Sequence, residues 1–462
     1  MTRKKKFCTS PVGNICTGLY QSKSLDKAGD WQYFCDPLHK RVVPLLEVCG
    51  QGGQCGAKGC EQTAAQPDAH RKRERRKQAC QVAARQAVVP VFLPFRGCPV
   101  RCVFCAQDVQ TGIADARHPL RPEVPPAEFQ TPPSPLPQPP IPQSPLPQTA
   151  ADQPGAGIAA VLHEARHSLR QRHQCGLPPA ELAFYGGTFT ALPENELTAC
   201  LNMASEALGQ GWISSFRCST RPDRVDARTL ERLRAAGCGV VELGVQSFAD
   251  SALAASRRGY TGATALAACA CVREAGLKLG VQLLPGMPGH TPAHFAHDVP
   301  AALAAGADML RFYPCLVLEG TGLAAMWRAG GYIPWALEPT LDALAHGWLA
   351  ATRAGVPVIR MGLAPEQGLA EAILAGPVDR ELGGRVKGRA LLLAVREALQ
   401  SPAAHQNFLP ANGFALRLPR AMQGFFWGAG GDLRPAWEAL GLRALAFEDS
   451  IEPQLLLMPP RA

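Results

Sequence analysis

The sequence predicts an α/β protein built on a parallel sheet, either open or curled into a barrel. Three observations carry that prediction. From about residue 86 to 380, short β-like runs alternate with Ala/Leu-rich helical patterns, and strands separated by helices of this length favour parallel pairing. The 462 residues suffice for one large domain with smaller appendages. The main interruption, residues 119–154, is Pro-rich and reads as an insertion into the alternating pattern.

The elements follow in order. A first strand is expected over 87–93 (AVVPVFL), and further strands over 182–185, 215–219, 240–245, 279–284, 309–313 and 356–361. Helical stretches between them include 227–236, 264–275 and 292–305. Inside the insertion the pentapeptide at 134–138 recurs at 144–148 as SPLPQ. Proline locks φ and removes donors, so this piece reads as an extended, solvated spacer outside the sheet. Residues 400–462 read helix, loop, helix, strand, with the glycine loop Gly428-Ala429-Gly430-Gly431 ahead of helical 433–440 and strand-like 442–447. The expected organisation is a basic, Cys-rich extension (1–85), a core (86–380) and a small α+β subdomain (400–462).

Hydrophobic residues make up 47% and charged residues 18%, ordinary for a soluble core, and no apolar run approaches the ~20 residues that span a bilayer. The basic start Met1 to Lys6 is followed by a stretch broken by Pro, Gly, Asn and Thr rather than by a secretory apolar region. A cytoplasmic protein without a membrane partner is expected. The net charge of +9 is uneven: residues 1–80 carry 15 Lys/Arg against 7 Asp/Glu, the rest 32 against 31. The densest run, 71–77 (RKRERRK), reads as a solvated linker helix or as a phosphate-contacting arm. Seventeen cysteines in a large chain without an export signal point to metal or cluster chemistry rather than to a disulfide framework. Cys8, Cys16, Cys35, Cys49, Cys55, Cys60 and Cys80 lie in the extension at spacings matching no recognised pattern. A second cluster, zinc and a disordered extension all remain open there.

The decisive motif is Gly97-Cys98-Pro99-Val100-Arg101-Cys102-Val103-Phe104-Cys105, directly after the first strand. Three cysteines at CxxxCxxC spacing on a strand-end loop can converge on one inorganic cluster. A cubane has four irons, so three protein thiolates leave one iron free for another ligand. A structural zinc would need a fourth ligand, and the nearest downstream candidates are Asp108 and His118, the latter abutting the Pro-rich segment.

This motif, with aromatic Phe104 before the last cysteine, resembles the signature of the radical S-adenosylmethionine (SAM) superfamily. The resemblance implies a partial (β/α)6 TIM-type barrel, a [4Fe–4S] cluster held by Cys98, Cys102 and Cys105, and SAM on the open iron. It also implies one electron, from a flavodoxin- or ferredoxin-type donor, that cleaves SAM to a 5′-deoxyadenosyl radical. Later motifs fall in the family's order. Gly186, Gly187 and Thr188, within FYGGTF, are similar to the motif whose carbonyls hold the SAM amino group, where glycine permits close backbone approach. Ser219 and Arg221, in STRPD, resemble the ribose-side motif. Gln246 and Ser247 end a buried strand, a position typical of site residues in barrels. By resemblance Arg258 pairs bidentately with the SAM carboxylate, and Gln282 with the 285–289 loop closes the next strand. Phe104 is placed on the cofactor side as well.

A narrower resemblance covers residues 86–380: the run Arg311-Phe312-Tyr313-Pro314-Cys315-Leu316-Val317-Leu318-Glu319-Gly320-Thr321-Gly322-Leu323 is similar to the catalytic subunit of Elongator, which modifies wobble uridine in tRNA. Three departures stand out. The cysteine spacing is the commoner superfamily form, Tyr260 replaces the usual His, and about 80 residues after the barrel are too few for that subunit's acetyltransferase domain. The chain thus resembles the shorter bacterial Elongator-like proteins, with tRNA as the implied partner. The 400–462 zone vaguely resembles a KH-type module, whose loop clamps a nucleic-acid backbone, although its glycine loop holds no Lys or Arg. A small capping subdomain is the alternative. Two other functions remain open: radical SAM chemistry on a small molecule such as a porphyrinogen, whose relatives share the Gly-Val-Gln-Ser motif, and a non-catalytic, cluster-bearing RNA-binding protein.

Overall fold

The computed structural model describes residues 87–94, 97–106, 157–363, 367–401, 413–449 and 453–457, together with the strand Glu47–Cys49. The Pro-rich insertion, the basic run 71–77 and the extension's cysteines other than Cys49 lie outside the described residues.

Seven parallel strands pair strictly in chain order: β1 (Val88–Phe92), β2 (Ala180–Tyr185), β3 (Ile213–Thr220), β4 (Cys238–Gln246), β5 (Lys278–Leu283), β6 (Met309–Phe312) and β7 (Val358–Met361). Sequential order curls the sheet, and because β1 and β7 do not pair it stays a half-barrel. The open edge explains how Pro90 sits in a strand: with no amide to donate, proline is tolerated at an edge and not in a central ladder. Helices α1 (Ile158–Gln174), α2 (Glu194–Gly209), α3 (Ala227–Ala235), α4 (Gly262–Glu274), α5 (Pro292–Ala304) and α6 (Leu337–Arg353) cover the convex face. Their starts are chemically marked. Asp226 accepts from the Thr229 amide at 2.7 Å, and Thr291 caps α5 with Pro292 as its first residue.

Strand alternation divides the residues between two faces. Leu182, Phe184, Phe216, Cys218, Leu243, Val245, Leu279, Val281, Leu283, Leu310 and Phe312 join the main core beneath the helices. Intervening positions, including Glu181, Arg217, Ser219, Glu242, Gln282 and Arg311, turn to the concave side.

A second core lies towards the C-terminus. Helix α7 (Leu382–Gln400), which falls between the expected core and the expected subdomain, belongs to both: Val386, Ala390 and Ala394 pack on the barrel core, Leu391, Val395 and Leu399 on the second. Strand β8 (Phe414–Pro419) runs parallel to β9 (Leu442–Glu448) and antiparallel to β10 (Gln454–Leu457). Between β8 and β9 lie the short helix Gln423–Phe426, the glycine loop and α8 (Arg434–Leu440). Trp437 stacks on Phe426 with centroids 4.5 Å apart and donates its indole N–H to the Phe426 carbonyl at 2.9 Å. Glu47–Cys49 adds a parallel strand beside β10, so a piece of the expected extension joins this sheet.

Candidate active site

The cysteine loop is locked onto the β2 loop by glycines. Gly186 and Gly187 hold φ of 107° and 63°, which L side chains avoid, and a Cβ on Gly186 would stand 2.3 Å from the Leu93 carbonyl oxygen. Reciprocally, a Cβ on Gly97 (φ 77°) would stand 2.4 Å from the Thr188 carbonyl oxygen. The two loops therefore touch backbone to backbone, and the buried Thr188 hydroxyl lies 3.0 Å from the Cys98 sulfur. Within the loop, the Cys105 amide donates to Cys102 O at 3.1 Å, a turn that keeps the last two cysteines on one short bend. The Val103 amide donates to Ser256 O at 3.3 Å, and Val103 O accepts from the Leu323 amide at 2.7 Å. Phe104 is half-buried against the apolar cluster of Val103, Met287, Cys315, Leu323 and Tyr332. Burial pushes the Cys98 thiol above its ordinary value, partly offset by the Thr188 hydrogen bond.

Two buried guanidiniums converge on Cys102. Arg258 Nη1 lies 3.1 Å and Arg221 Nη1 3.6 Å from its sulfur. Arg221 forms a two-pronged pair with Asp223 at 2.8 and 3.1 Å. Arg258 has no acidic partner among the described residues: it donates to the Tyr260 hydroxyl (3.0 Å from Nε, 2.6 Å from Nη2) and to the Gly244 carbonyl. A bidentate carboxylate clasp on its Nε–Nη2 edge would displace these bonds. A buried cation without a counter-charge is costly and calls for a nearby anion. Thiolates of a cluster, or a ligand carboxylate, are anions of that kind, so the residues fit the implied cofactors. Among the described residues no three His, Cys, Asp or Glu side chains gather closely enough to hold a single metal ion. A cubane binds each thiolate through a different iron and spaces its ligands more widely than one ion does.

The concave face behind this loop is filled by charge. The Glu242 carboxylate, 1% exposed, accepts from Arg311 Nη2 at 2.9 Å, Arg217 Nη1 at 3.1 Å, Gln282 Nε2 at 3.0 Å and the Tyr185 hydroxyl at 3.3 Å. Burial alone would raise this carboxyl. Arg311 and Arg217 outweigh it and hold the group below the usual range. Burial and Glu242 together push the Tyr185 hydroxyl up. Gln282 also donates to Ser219 Oγ at 3.1 Å, which ties two expected SAM contacts into this network. Gln246 ends β4 with φ 68°, a strained value for a non-glycine residue and one found preferentially at functional sites. Ser247 is fully buried and its hydroxyl accepts from the Ala249 amide at 3.0 Å, closing a local turn. On the 285–289 loop, Gly286 and Gly289 line a cleft of about 330 Å³ with Tyr332 and Trp335.

The structure thus brings Cys98, Cys102, Thr188, Arg221 and Arg258 together around one loop, places Ser219 and Gln282 deeper in the half-barrel, and turns Ser247 away into its own backbone. Glu242, Arg217 and Arg311 carry contacts that sequence reasoning did not assign to the site, and Tyr260, noted there only as a departure from the usual His, touches both guanidiniums. For Glu242, Arg217 and Arg311 the signal was present as charges within buried strands; Tyr260 lies in a loop and carried no such signal.

Comparison with known proteins follows the same outline. The Radical SAM superfamily model matches residues 92–299, and the Radical_SAM C-terminal domain model residues 307–389. The chain belongs to the radical SAM superfamily. It is accordingly an enzyme of the class that uses a [4Fe–4S] cluster and SAM. Similar proteins include the tRNA uridine(34) acetyltransferase of Methanocaldococcus infernus, 28% identical over 205 residues (40% of this chain, 38% of the relative). The Elongator complex protein 3 of Danio rerio is 29% identical over 208 residues (40% and 37%). The matched region therefore spans less than two fifths of the length of these relatives. Among solved structures, the archaeal Methanocaldococcus infernus Elp3 superposes with a TM-score of 0.43 at 24% identity, covering 52% of this chain and 59% of that one. The coproporphyrinogen III oxidase of Escherichia coli gives 0.39 at 17% identity, covering 67% and 60%. Among the described residues no helix is long and apolar enough to cross a membrane.

Proposed function

We propose that Cys98, Cys102 and Cys105 hold the [4Fe–4S] cluster of this radical SAM enzyme and that its substrate is tRNA, at the wobble uridine. The observation that carries the first part is the acid-free, buried Arg258 aimed, with Arg221, at the Cys102 sulfur. When bound, the cluster and SAM supply one-electron cleavage to a hydrogen-abstracting 5′-deoxyadenosyl radical. The chain's own residues prepare the place. Gly186 and Gly187 leave backbone accessible next to the cysteine loop, Thr188 orients Cys98, and the guanidiniums offset thiolate charge. The Glu242 network keeps Arg311, Tyr185 and Gln282 fixed on the concave face, where a substrate would lie. Support for tRNA comes from the relatives named for tRNA uridine(34) acetylation and from the 311–323 run. The glycine loop between the two short C-terminal helices offers a further contact for a nucleic-acid backbone.

The test is anaerobic. Wild-type protein, reduced and given SAM, is expected to form 5′-deoxyadenosine, faster with bulk tRNA, whereas Cys102→Ala loses the brown chromophore and forms none. Mass analysis of tRNA nucleosides before and after reaction then locates the change. Stoichiometric zinc in place of iron and sulfide would sink the cluster assignment. An unaltered nucleoside profile, with SAM cleavage indifferent to tRNA, would sink the substrate.

A further inference from the structure

Arg221 and Arg258 are held in the same way. In each, the Nε–Nη2 edge is occupied: by Asp223 in Arg221, by the Tyr260 hydroxyl and Gly244 O in Arg258. Each therefore presents Nη1 to the same atom, the Cys102 sulfur, at 3.6 and 3.1 Å. Arg221 Nη2 also donates to the Arg258 carbonyl, which joins the two into one unit. Tyr260 is wedged beneath both, its ring centroid 5.3 Å from the Arg221 guanidinium carbon and 5.0 Å from that of Arg258. Its hydroxyl lies 2.9 Å from Gly244 O and 3.0 Å from Val245 O, so the wedge is anchored to the end of β4.

We propose that Tyr260 is a positioning residue that fixes Arg221 and Arg258 as twin hydrogen-bond donors to the Cys102 sulfur, and that these donors make the cluster easier to reduce. The inference rests on the cluster assignment above. Its physical basis is that reduction adds negative charge to the cluster and its sulfur ligands, and donors to those sulfurs stabilise the more negative state. A phenylalanine at this position would keep the ring beneath the guanidiniums but remove the acceptor that holds the Arg258 edge.

The experiment uses the full chain, purified anaerobically, reconstituted with iron and sulfide, and titrated by EPR-monitored redox poising. In Tyr260→Phe, iron and sulfide content should match the wild type. At the potential where the wild-type cluster is half reduced, the reduced-to-oxidised ratio should fall about tenfold, equivalent to ~59 mV for a one-electron couple. Arg221→Lys, which cannot reach Asp223 and the sulfur with one fork, should move the ratio in the same direction and tests the donor role itself. Should Tyr260→Phe fail to take up iron, Tyr260→His, which keeps a ring and a polar atom, is titrated in its place and should give a ratio between those of the wild type and Arg221→Lys. Intact clusters with ratios within twofold of the wild type would overturn the wedge and leave the cluster assignment standing. A wild-type protein that binds neither iron nor sulfide would instead overturn the cluster assignment.

Discussion

At Gly186 two requirements coincide: a left-handed φ of 107° and a neighbouring carbonyl 2.3 Å from where a Cβ would be. Gly211 shares only the first, with φ 70° and open space around it. Gly186→Ala is therefore expected to cost roughly 2–4 kcal/mol and Gly211→Ala about 1. Urea unfolding of the two variants checks the difference, and equal losses would mean that the loop yields without penalty. The tightness of this contact is what keeps Thr188 within 3.0 Å of Cys98, so the backbone conformation of one residue bears directly on the cysteine loop.

Across elements, the Glu242 network links β2, β3, β4, β5 and β6 through side chains that no single strand explains. Glu242→Gln leaves Arg311 short of buried counter-charge, while Arg217 keeps Glu181 as its partner, and should destabilise the fold by about 3–5 kcal/mol at neutral pH. The sign of its pH dependence follows from its depressed titration. The contribution of Glu242 is fully present above the ordinary carboxyl value of 4.5 and is lost as pH falls through the lower folded value. Thermal melts from pH 6 downward should show a shallower acid limb in Glu242→Gln, and parallel limbs would deny the network this role. The seven strands themselves were readable to within about two residues, because their convex faces bury Val, Ile, Leu and Phe and their ends carry glycine. Helix α7 was not placed, since a segment buried against two cores has no single polar face to mark its domain.

For the whole molecule, charge asymmetry makes a claim about association. The excess of cations within residues 1–80 precedes a nearly neutral remainder. Replacing Arg71, Lys72, Arg73 and Arg75 by Gln should weaken bulk tRNA binding and flatten the log–log salt dependence by about 3, given a slope near 0.7–0.9 per phosphate contact. An unchanged slope would assign the run to solvated surface.

By itself the sequence determined the cysteine triad, the glycine pair, the strand–helix alternation and hence the superfamily, since each is encoded in residues close together along the chain. Only the tertiary structure decided that Arg221, Arg258 and Tyr260 meet at Cys102, and that Glu242 gathers partners from four other strands. These contacts join residues up to 156 positions apart. Local pattern reports which side a residue faces, while the curl of the sheet sets which distant residues face one another.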